Sequence, residues 1–495
     1  MHRETLPVDQ LAAWSRLNNV EFNGVKITIV QGNRGSGLVT TAERSNPLLR
    51  IPNDLILSLE TVWVYAKSDK HLRQVLEATG DYSRTTRGAV LIFLLLQVTN
   101  GATEGSIGVS NPFSEYVKFL PLTVSLPTFW NESEQAIVTG TSLEAALSAK
   151  LKSLDREFTL LKEKTSSIDW CQKYWWDADS GTLTFHDWKI VDAMYSVCLT
   201  DMFKGSTHNL KQAILTPKKR SRALDLPGIG HSMVPCMDMA NHASGDSTSA
   251  LYETDSDGNA ILVLQDDTYM APNDEVTITY GDEKGACEML FSYGFIESIV
   301  ETARELFLDL DMPNDDPLKL AKKAVAQSAP GFRLFLHGDS TDWQSSFIWL
   351  LCVNEEDGLE FKVLQNNDGE RELQASWKDE EITDMSTLVT LLKLEPLWDV
   401  FELRAITTLQ TRVEQQLLRL EGSKNSVDEL LIVGDIDNDI GKNAMRLREL
   451  EEILMLRAYG DFETKKSQLL KSPIVQQYLD TTMAESPGVS EDNFS

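Results

Sequence analysis

The pattern of apolar residues changes three times along the chain, and these changes restrict the fold more than any other feature. From Gly24 to Ser58, short β-branched runs broken by Gly, Asn and Pro predict strands joined by tight turns. Helical spacing follows from about Leu59 to Asp169, strand patterning returns after His231, and helical spacing resumes beyond about Glu301. This order predicts an α+β protein in which a helical insert divides a β-rich domain and an α-helical C-terminal domain follows.

Residue spacing also predicts individual elements. In the sequence EVTITYG, Val276 and Ile278 alternate with threonines, which predicts a strand whose end places Tyr280 on the same face as core residues. Three sets of apolar residues recur at helical steps and predict helix-packing faces, with an interaction groove as the alternative. These sets are Leu143, Leu147, Leu151, Leu154, Phe158 and Leu161; Ile406, Leu409, Val413, Leu417 and Leu420; and Leu447, Leu450 and Leu454.

The densest apolar run is too short to cross a membrane. AVLIFLLLQV, from Ala89 to Val98, is about half of the roughly 20 residues that a bilayer requires, so we predict a buried core helix and no membrane partner. The first residues, MHRETLPVDQLAAWSRL, lack the features of a secretory signal, and we expect an intracellular protein of the cytoplasm or nucleus.

The charge of the chain disfavours a nucleic-acid partner. The formal net charge of -29 leaves few cations to replace the counterions of a polyphosphate. An acidic surface helps to attract a basic protein segment, although solubility alone also explains it.

The cysteines do not predict a metal site or a catalytic thiol. The five cysteines are scattered without a CxxC pair, which suits a reducing compartment and argues against zinc. His242 has no second histidine or cysteine at ligand spacing, so we predict no metal. Cys287 has no neighbouring histidine or basic group that would make it a nucleophilic thiolate.

Four short motifs could carry chemistry. In GNRGSGLV the glycines have neither the dinucleotide-binding nor the Walker order, so a plain glycine turn is the default interpretation. In MVPCMDMANH an apolar run leads into Asp238, Asn241 and His242, which indicates either a ligand site or a core turn with satisfied hydrogen bonds. In EVTITYG and FSYGF, Tyr280 and Tyr293 each precede a glycine, where a turn can direct a phenol into a pocket.

Taken in order, RGSGLV, SRALDLPG, VPCMDMANH, EVTITYG and SYGF resemble the SET-domain protein methyltransferases. More narrowly, the chain resembles the class of the Rubisco large-subunit lysine methyltransferase over roughly residues 11–459. In that class a helical insert splits a SET domain of small sheets, and a helical substrate-binding domain follows. The resemblance implies SET-domain parts at 1–58 and 231–300, an insert at 59–230 and a substrate-binding domain at 301–480. The polar composition of residues 481–495 predicts a disordered tail.

The resemblance also implies S-adenosylmethionine as the cofactor and Tyr280 as the catalytic residue. It further implies that the threaded SET topology brings the Asn241–His242 segment against Tyr280. Two departures from the pattern are Arg34, where relatives often have Glu, and a long stretch between Phe203 and Arg222. The cofactor-binding residues that the resemblance implies are Arg34, Gly35, Ser36, Arg222, Asp238, Asn241, His242, Tyr293, Gly294 and Phe295.

The function that the resemblance implies is protein-lysine N-methylation. The partner would be a lysine-containing segment of a non-histone protein, and the enzyme would act as a monomer. Two alternatives stay open at this point: a catalytically inactive SET-fold module that binds protein, and a protein-histidine methyltransferase.

Overall fold

A computed structural model describes residues 4–30, 35–41, 46–102, 107–121, 125–177, 183–195, 223–266, 268–282, 284–326, 330–338, 340–365 and 371–485. Arg34 and Arg222, two of the predicted cofactor-binding residues, lie outside these ranges, as do residues 486–495 of the predicted tail.

Ten short strands from two separate parts of the chain form three small sheets. The strands are β1 (Glu21–Phe22), β2 (Val25–Ile29), β3 (Ser36–Thr40), β4 (Leu49–Ile51), β5 (Ala223–Leu226), β6 (Gly230–Met233), β7 (Asn241–His242), β8 (Ala250–Thr254), β9 (Ala260–Leu264) and β10 (Glu275–Ile278). The strand orders are β1-β4-β9-β8, β2-β3-β10-β7 and the hairpin β5-β6. Because both four-stranded sheets combine strands from either side of the insert, the predicted β-rich domain of small sheets is confirmed.

Strand β10 is an internal strand of the second sheet and is covered on both faces. Val276 and Ile278 are buried, as their alternation predicts, but Thr277 between them is also buried. The backbone N–H of Thr277 donates to the hydroxyl of Ser249 at 2.8 Å, which satisfies the polar backbone at this position. The strand is therefore held in place by its neighbours, and residues Thr279 to Gly281 follow directly from its end.

The described residues between the two groups of strands are mainly helical. After α1 (Leu11–Leu17), the helices are α2 (Leu59–Ser68), α3 (Lys70–Thr79), α4 (Thr86–Ala102), α5 (Pro112–Tyr116), α6 (Glu132–Ala136), α7 (Ser142–Thr165), α8 (Asp169–Cys171) and α9 (Phe185–Tyr195), with a π-helical turn at Gln172–Trp176. The apolar run from Ala89 lies in α4 and is buried, so the predicted core helix is confirmed. No helix within the described ranges is both long and apolar enough to span a bilayer.

The C-terminal part of the chain is mainly helical but also contains two three-stranded sheets that the spacing did not predict. Its helices are α10 (Ala286–Tyr293), α11 (Lys319–Val325), α12 (Phe347–Cys352), α13 (Met385–Lys393), α14 (Trp398–Gly422), α15 (Lys424–Val433), α16 (Asn438–Leu469) and α17 (Pro473–Glu485). Its strands are β11 (Glu305–Asp309), β12 (Gly331–His337), β13 (Ser340–Gln344), β14 (Leu359–Gln365), β15 (Arg371–Trp377) and β16 (Glu380–Glu381). The three predicted apolar stripes fall on α7, α14 and α16, as expected. Helix α17 continues through the first five residues of the predicted tail.

Two hydrophobic cores divide the molecule. The first joins the β-rich domain to α2–α5 and the later part of α7, and the second joins the C-terminal region to Trp130, Ile137 and Leu143 of the insert. Helix α7 thus contributes its start to one core and its end to the other. Helix α10 packs into the second core through Leu290 and Phe291, and Tyr293 is its last residue.

Candidate active site

The candidate site begins where β7 lies beside β10. The two strands are parallel, with Asn241 opposite Thr277 and His242 opposite Ile278. On its other side β10 pairs antiparallel with β3, so one strand connects the Asn241–His242 segment with the strand that begins at Ser36. This pairing brings together residues that are about 200 positions apart in the sequence.

The Asn241 side chain links β7 to the start of β3. Its amide nitrogen donates to Oε1 of Glu275 at 2.7 Å and to the backbone carbonyl of Ser36 at 3.4 Å. A Cβ atom at Gly37 would lie 2.9 Å from this nitrogen, so glycine is required for the amide to approach. Gly35 has a φ of +72°, and no atom lies within 4 Å of the position that its Cβ would take. The backbone at Gly35 is therefore open enough to approach a ligand.

His242 holds the segment that follows β10. Its Nδ1 accepts a hydrogen bond from the backbone N–H of Tyr280 at 2.9 Å. Its Nε2 lies 3.1 Å from the hydroxyl of Ser244 and 3.4 Å from Oε1 of Glu297, and Ser244 donates to the other oxygen of Glu297 at 2.5 Å. Because Nδ1 is an acceptor, the proton of the neutral ring is on Nε2. Burial lowers the pKa of His242, and this effect exceeds the opposing attraction of the Glu297 carboxylate.

Three aromatic rings are stacked next to this contact. The ring of Tyr280 lies between His242, at a centroid distance of 5.0 Å, and Tyr293, at 4.5 Å, with interplanar angles of 19° and 25°. Phe295 lies beside this stack, 6.2 Å from His242 and 6.4 Å from Tyr293. The Tyr280 hydroxyl donates to the backbone carbonyl of Ala240 at 2.9 Å. The predicted contact of the Asn241–His242 segment with Tyr280 is thereby confirmed.

Gly294 makes the turn that leads from α10 to Phe295. It ends the helix with a φ of +81°, and a Cβ there would lie 2.7 Å from the carbonyl oxygen of Ser125. Glycine is therefore required both by the left-handed backbone and by the close approach of the insert. The turn places Tyr293 and Phe295 on either side of it.

A hydrogen bond connects Asp238 to the helical insert. It lies in a 3-10 turn, Met237–Met239, and its Oδ1 accepts a hydrogen bond of 2.6 Å from the hydroxyl of Tyr116. The same hydroxyl accepts the backbone N–H of Cys236 at 2.9 Å. Burial and the nearby Asp238 carboxylate raise the pKa of Tyr116, which keeps the phenol protonated as a donor. Tyr116 was not predicted as a site residue, since nothing in the sequence around it indicates a contact with Asp238.

The structure supports the interpretation of Cys287 as a non-catalytic thiol. Burial raises the pKa of the Cys287 thiol, with a further contribution from the carboxylate of Glu451. A protonated thiol is a poor nucleophile. Within the described residues, no group of three histidine, cysteine or acidic side chains is arranged to hold a metal ion.

Sequence reasoning also missed a buried ion pair next to the aromatic stack. The ammonium group of Lys284 lies 3.0 Å from Oε1 of Glu288 and donates to the hydroxyl of Tyr293 at 2.8 Å. The available signal was two opposite charges, four residues apart, beside a predominantly apolar helix. That spacing usually indicates an exposed pair, so it did not predict this contact.

The chain is similar to a curated protein and to solved structures over nearly its whole length. It is 24% identical over 447 residues to SET domain-containing protein 8 of Schizosaccharomyces pombe (strain 972 / ATCC 24843), covering 89% of this chain and 90% of that protein. No protein-family model matches the chain.

Among solved structures, it resembles the SET domain of LSMT bound to methyllysine and AdoHcy, with 18% identity, a TM-score of 0.64 and 98% of each chain covered. It also resembles Rubisco LSMT bound to sinefungin and monomethyllysine, with 17% identity, a TM-score of 0.62 and 97% of each chain covered. The predicted fold is therefore confirmed: the chain has the fold of the Rubisco LSMT structures over nearly its whole length.

Proposed function

We propose that this chain is an S-adenosylmethionine-dependent protein methyltransferase whose acceptor is lysine. The observation that carries the proposal is the hydroxyl of Tyr280, which is held on the carbonyl of Ala240 between the stacked rings of His242 and Tyr293. The similarity to LSMT structures with AdoHcy and lysine or methyllysine supports both the cofactor and the acceptor.

The residues of the site fit this cofactor. The Asn241 amide donates to the carbonyl of Ser36, next to the open backbone at Gly35, and the ring of Phe295 lies near both His242 and Tyr293. In our proposal Gly35, Ser36, Asn241 and His242 hold the cofactor, and the segment from Tyr293 to Phe295 closes the pocket. Asp238, fixed by Tyr116, lines the same pocket. When bound, S-adenosylmethionine supplies a methyl group on a positively charged sulfur.

The protein has to align the acceptor amine and exclude water. Because the Tyr280 hydroxyl gives its proton to Ala240, its oxygen presents lone pairs that accept an N–H of the amine. Such a contact would direct the nitrogen lone pair of the amine away from the Tyr280 oxygen, so that Tyr280 orients the amine. The same oxygen can make weak C–H···O contacts to the polarised methyl group.

The acceptor lysine must also lose a proton, because a free lysine has a pKa of about 10.4. Burial and a nearby positive charge both disfavour the ammonium form, so no strong general base is required. His242 contributes indirectly: its hydrogen bond fixes the backbone of Tyr280 and hence the position of the phenol.

The experiment measures cofactor binding and methyl transfer separately. Calorimetry with purified protein tests binding of S-adenosylhomocysteine, and incubation with proteins of a source-cell lysate and isotopically labelled S-adenosylmethionine, followed by mass spectrometry, identifies the modified residue. We expect binding and a methylated lysine. Folded protein that does not bind the cofactor product rejects the proposal.

Two other results would support the alternatives. Cofactor binding without transfer to any protein would favour an inactive SET-fold module that binds protein. A methylated histidine would keep the enzyme class and change the acceptor.

A further inference from the structure

A lysine that the mechanism above does not use is buried against the aromatic stack. Lys284 is 2% exposed, and its ammonium nitrogen lies 4.7 Å from the centroid of the Tyr293 ring, in addition to its contacts with the Tyr293 hydroxyl and Glu288. Removing an ammonium group from water costs several kcal/mol, so a fully buried lysine is rare without partners. The contacts of Lys284 connect it directly to a ring that stacks on Tyr280.

We propose that Lys284 is a positioning residue for methyl transfer and acts through Tyr293; this inference rests on the proposed function. The ammonium group donates to the Tyr293 hydroxyl, so the phenolic oxygen is the acceptor and its own proton is directed away from Lys284. Tyr293 in turn stacks against Tyr280 with centroids 4.5 Å apart. Lys284 thereby fixes one wall of the space in which the acceptor amine meets Tyr280.

The placement of Lys284 in the chain supports this role. Lys284 immediately precedes the N-cap residue of α10, Glu288 lies in its first turn, and Tyr293 is its last residue. The Lys284–Glu288 pair alone would hold the start of the helix. The additional bond to Tyr293 connects the two ends of the helix at the point where the chain turns through Gly294 into the pocket.

A second buried lysine provides a matched control. The Lys322 side chain is fully buried, and its ammonium group contacts Asp316 at 2.6 Å and Asn354 at 2.7 Å. These partners lie in the C-terminal region, outside the aromatic stack. Replacing Lys322 therefore removes a buried lysine of the same kind without touching Tyr293.

The test is a double-mutant cycle with Lys284→Met and Tyr293→Phe. The measured quantity is the single-turnover rate of methyl transfer to the acceptor protein identified above, with S-adenosylmethionine saturating, together with the dissociation constant of S-adenosylhomocysteine. We expect Lys284→Met to reduce the rate about tenfold when Tyr293 is present and less than about twofold in the Tyr293→Phe background, because residues that act as a unit are not additive. Because Tyr293 also closes the cofactor pocket in our proposal, the dissociation constant is measured separately, and the rates are compared at saturating S-adenosylmethionine so that weaker cofactor binding does not contribute to them.

Further variants separate positioning from stability. Lys284→Met removes the ammonium group that lies 3.0 Å from the Glu288 carboxylate, so Lys284→Met combined with Glu288→Gln removes both charges of this pair if the single variant does not fold. Lys284→Arg should restore most of the rate. Lys322→Met should have the same effect on the rate in both Tyr293 backgrounds.

If Lys284→Met reduces the single-turnover rate by the same factor with and without the Tyr293 hydroxyl, Lys284 does not act through Tyr293 and this inference is wrong. The proposed function is unaffected by that result as long as the wild type transfers methyl groups. A wild type that transfers no methyl group rejects the proposed function and this inference with it.

Discussion

The backbone N–H of Tyr280 donates a hydrogen bond to Nδ1 of His242 across 2.9 Å, and the rings of the two residues stack with centroids 5.0 Å apart. The contact joins the strand that carries Asn241 and His242 to the loop that carries the proposed catalytic tyrosine. It requires Nδ1 without a proton, so it also makes the geometry of the site depend on pH.

The first prediction concerns this pH dependence. The pKa of His242 in the folded protein is below the ordinary value of 6.5, so its contribution to stability is present above that value and is lost as the pH falls through the folded pKa. We expect the free energy of unfolding to decrease on acidification below about pH 6.5 more steeply for wild type than for His242→Gln, which carries no titrating group. Urea unfolding between pH 5 and pH 8 measures the unfolding free energy of the wild type and of His242→Gln. Parallel curves would show that His242 does not titrate in this way.

The second prediction concerns Glu451, a buried carboxylate that accepts hydrogen bonds from the backbone N–H of Ser142, at 2.9 Å, and from its hydroxyl. Burial raises the pKa of Glu451 from 4.5 to about 7. The folded protein therefore holds a proton that the unfolded chain releases, and the contribution to stability is present below pH 4.5 and lost as the pH rises through about 7. Glu451→Gln keeps an acceptor oxygen and should be more stable than wild type at pH 8 by up to about 3 kcal/mol.

The control for Glu451 is a carboxylate on the same helix. Glu449→Gln removes a carboxylate from α16 at a side chain that is 59% exposed, and it should change the unfolding free energy little at either pH. Thermal or urea unfolding at pH 5 and pH 8 distinguishes the two variants. If the unfolding free energies of Glu451→Gln and wild type depend on pH in the same way, the raised pKa of Glu451 is contradicted.

The third prediction concerns the turn at Gly294. Gly294→Ala requires a left-handed backbone and places a Cβ 2.7 Å from the Ser125 carbonyl, so we expect a loss of at least about 1 kcal/mol in stability and weaker cofactor binding. Gly460→Ala is the matched control, because Gly460 is exposed within α16 and no atom lies within 4 Å of its Cβ position. This control should gain about 0.5–1 kcal/mol. Equal effects of the two substitutions on unfolding would contradict the proposed constraint.

The fourth prediction concerns Asn241. Its amide joins Glu275 and Ser36, and we propose that this arrangement supports the cofactor. Asn241→Ala should weaken binding of S-adenosylhomocysteine by roughly 1–3 kcal/mol, because the partly buried Glu275 carboxylate and Ser36 carbonyl lose their hydrogen bonds to the amide. Calorimetry on the folded variant measures this change. If Asn241→Ala binds S-adenosylhomocysteine as tightly as the wild type, Asn241 does not support the cofactor.

Much of the site could be predicted because its parts are local motifs. Asn241 and His242 are adjacent, and Tyr280 precedes a glycine at the end of an alternating strand, so each has a recognisable sequence context. The contact between the Asn241–His242 segment and Tyr280 was predicted from the threaded topology that the resemblance implies. The spacing of these residues in the sequence does not predict it. The long helices α7, α14 and α16 were predictable because apolar stripes extend over several turns.

The features that the sequence did not predict depend on contacts that the spacing of residues along the chain does not reveal. Tyr116 reaches Asp238 across 122 positions, and Ser142 reaches Glu451 across 309. Lys284 has the spacing of an ordinary surface ion pair, and only the packing of α10 makes it a buried one. The strands β11–β16 lie among long helical patterns, and the sequence analysis did not separate their alternation of apolar and polar residues from those patterns.

The central claim is that the Tyr280 hydroxyl acts in methyl transfer and not in cofactor affinity. Tyr280→Phe removes one oxygen and keeps the ring between His242 and Tyr293. Tyr65→Phe is a matched control, because the Tyr65 hydroxyl also donates to a backbone carbonyl, that of Asp54 at 3.4 Å, on an insert helix. The control should transfer methyl groups at the wild-type rate.

The decisive measurement is the single-turnover rate of methyl transfer by Tyr280→Phe, with the S-adenosylhomocysteine dissociation constant measured on the same preparation. We predict a rate reduced by on the order of a hundredfold, as for the loss of one preorganised polar group, with the dissociation constant unchanged within about threefold. A wild-type rate in Tyr280→Phe would contradict the catalytic role, and a matching loss of cofactor affinity would make Tyr280 part of the binding pocket instead.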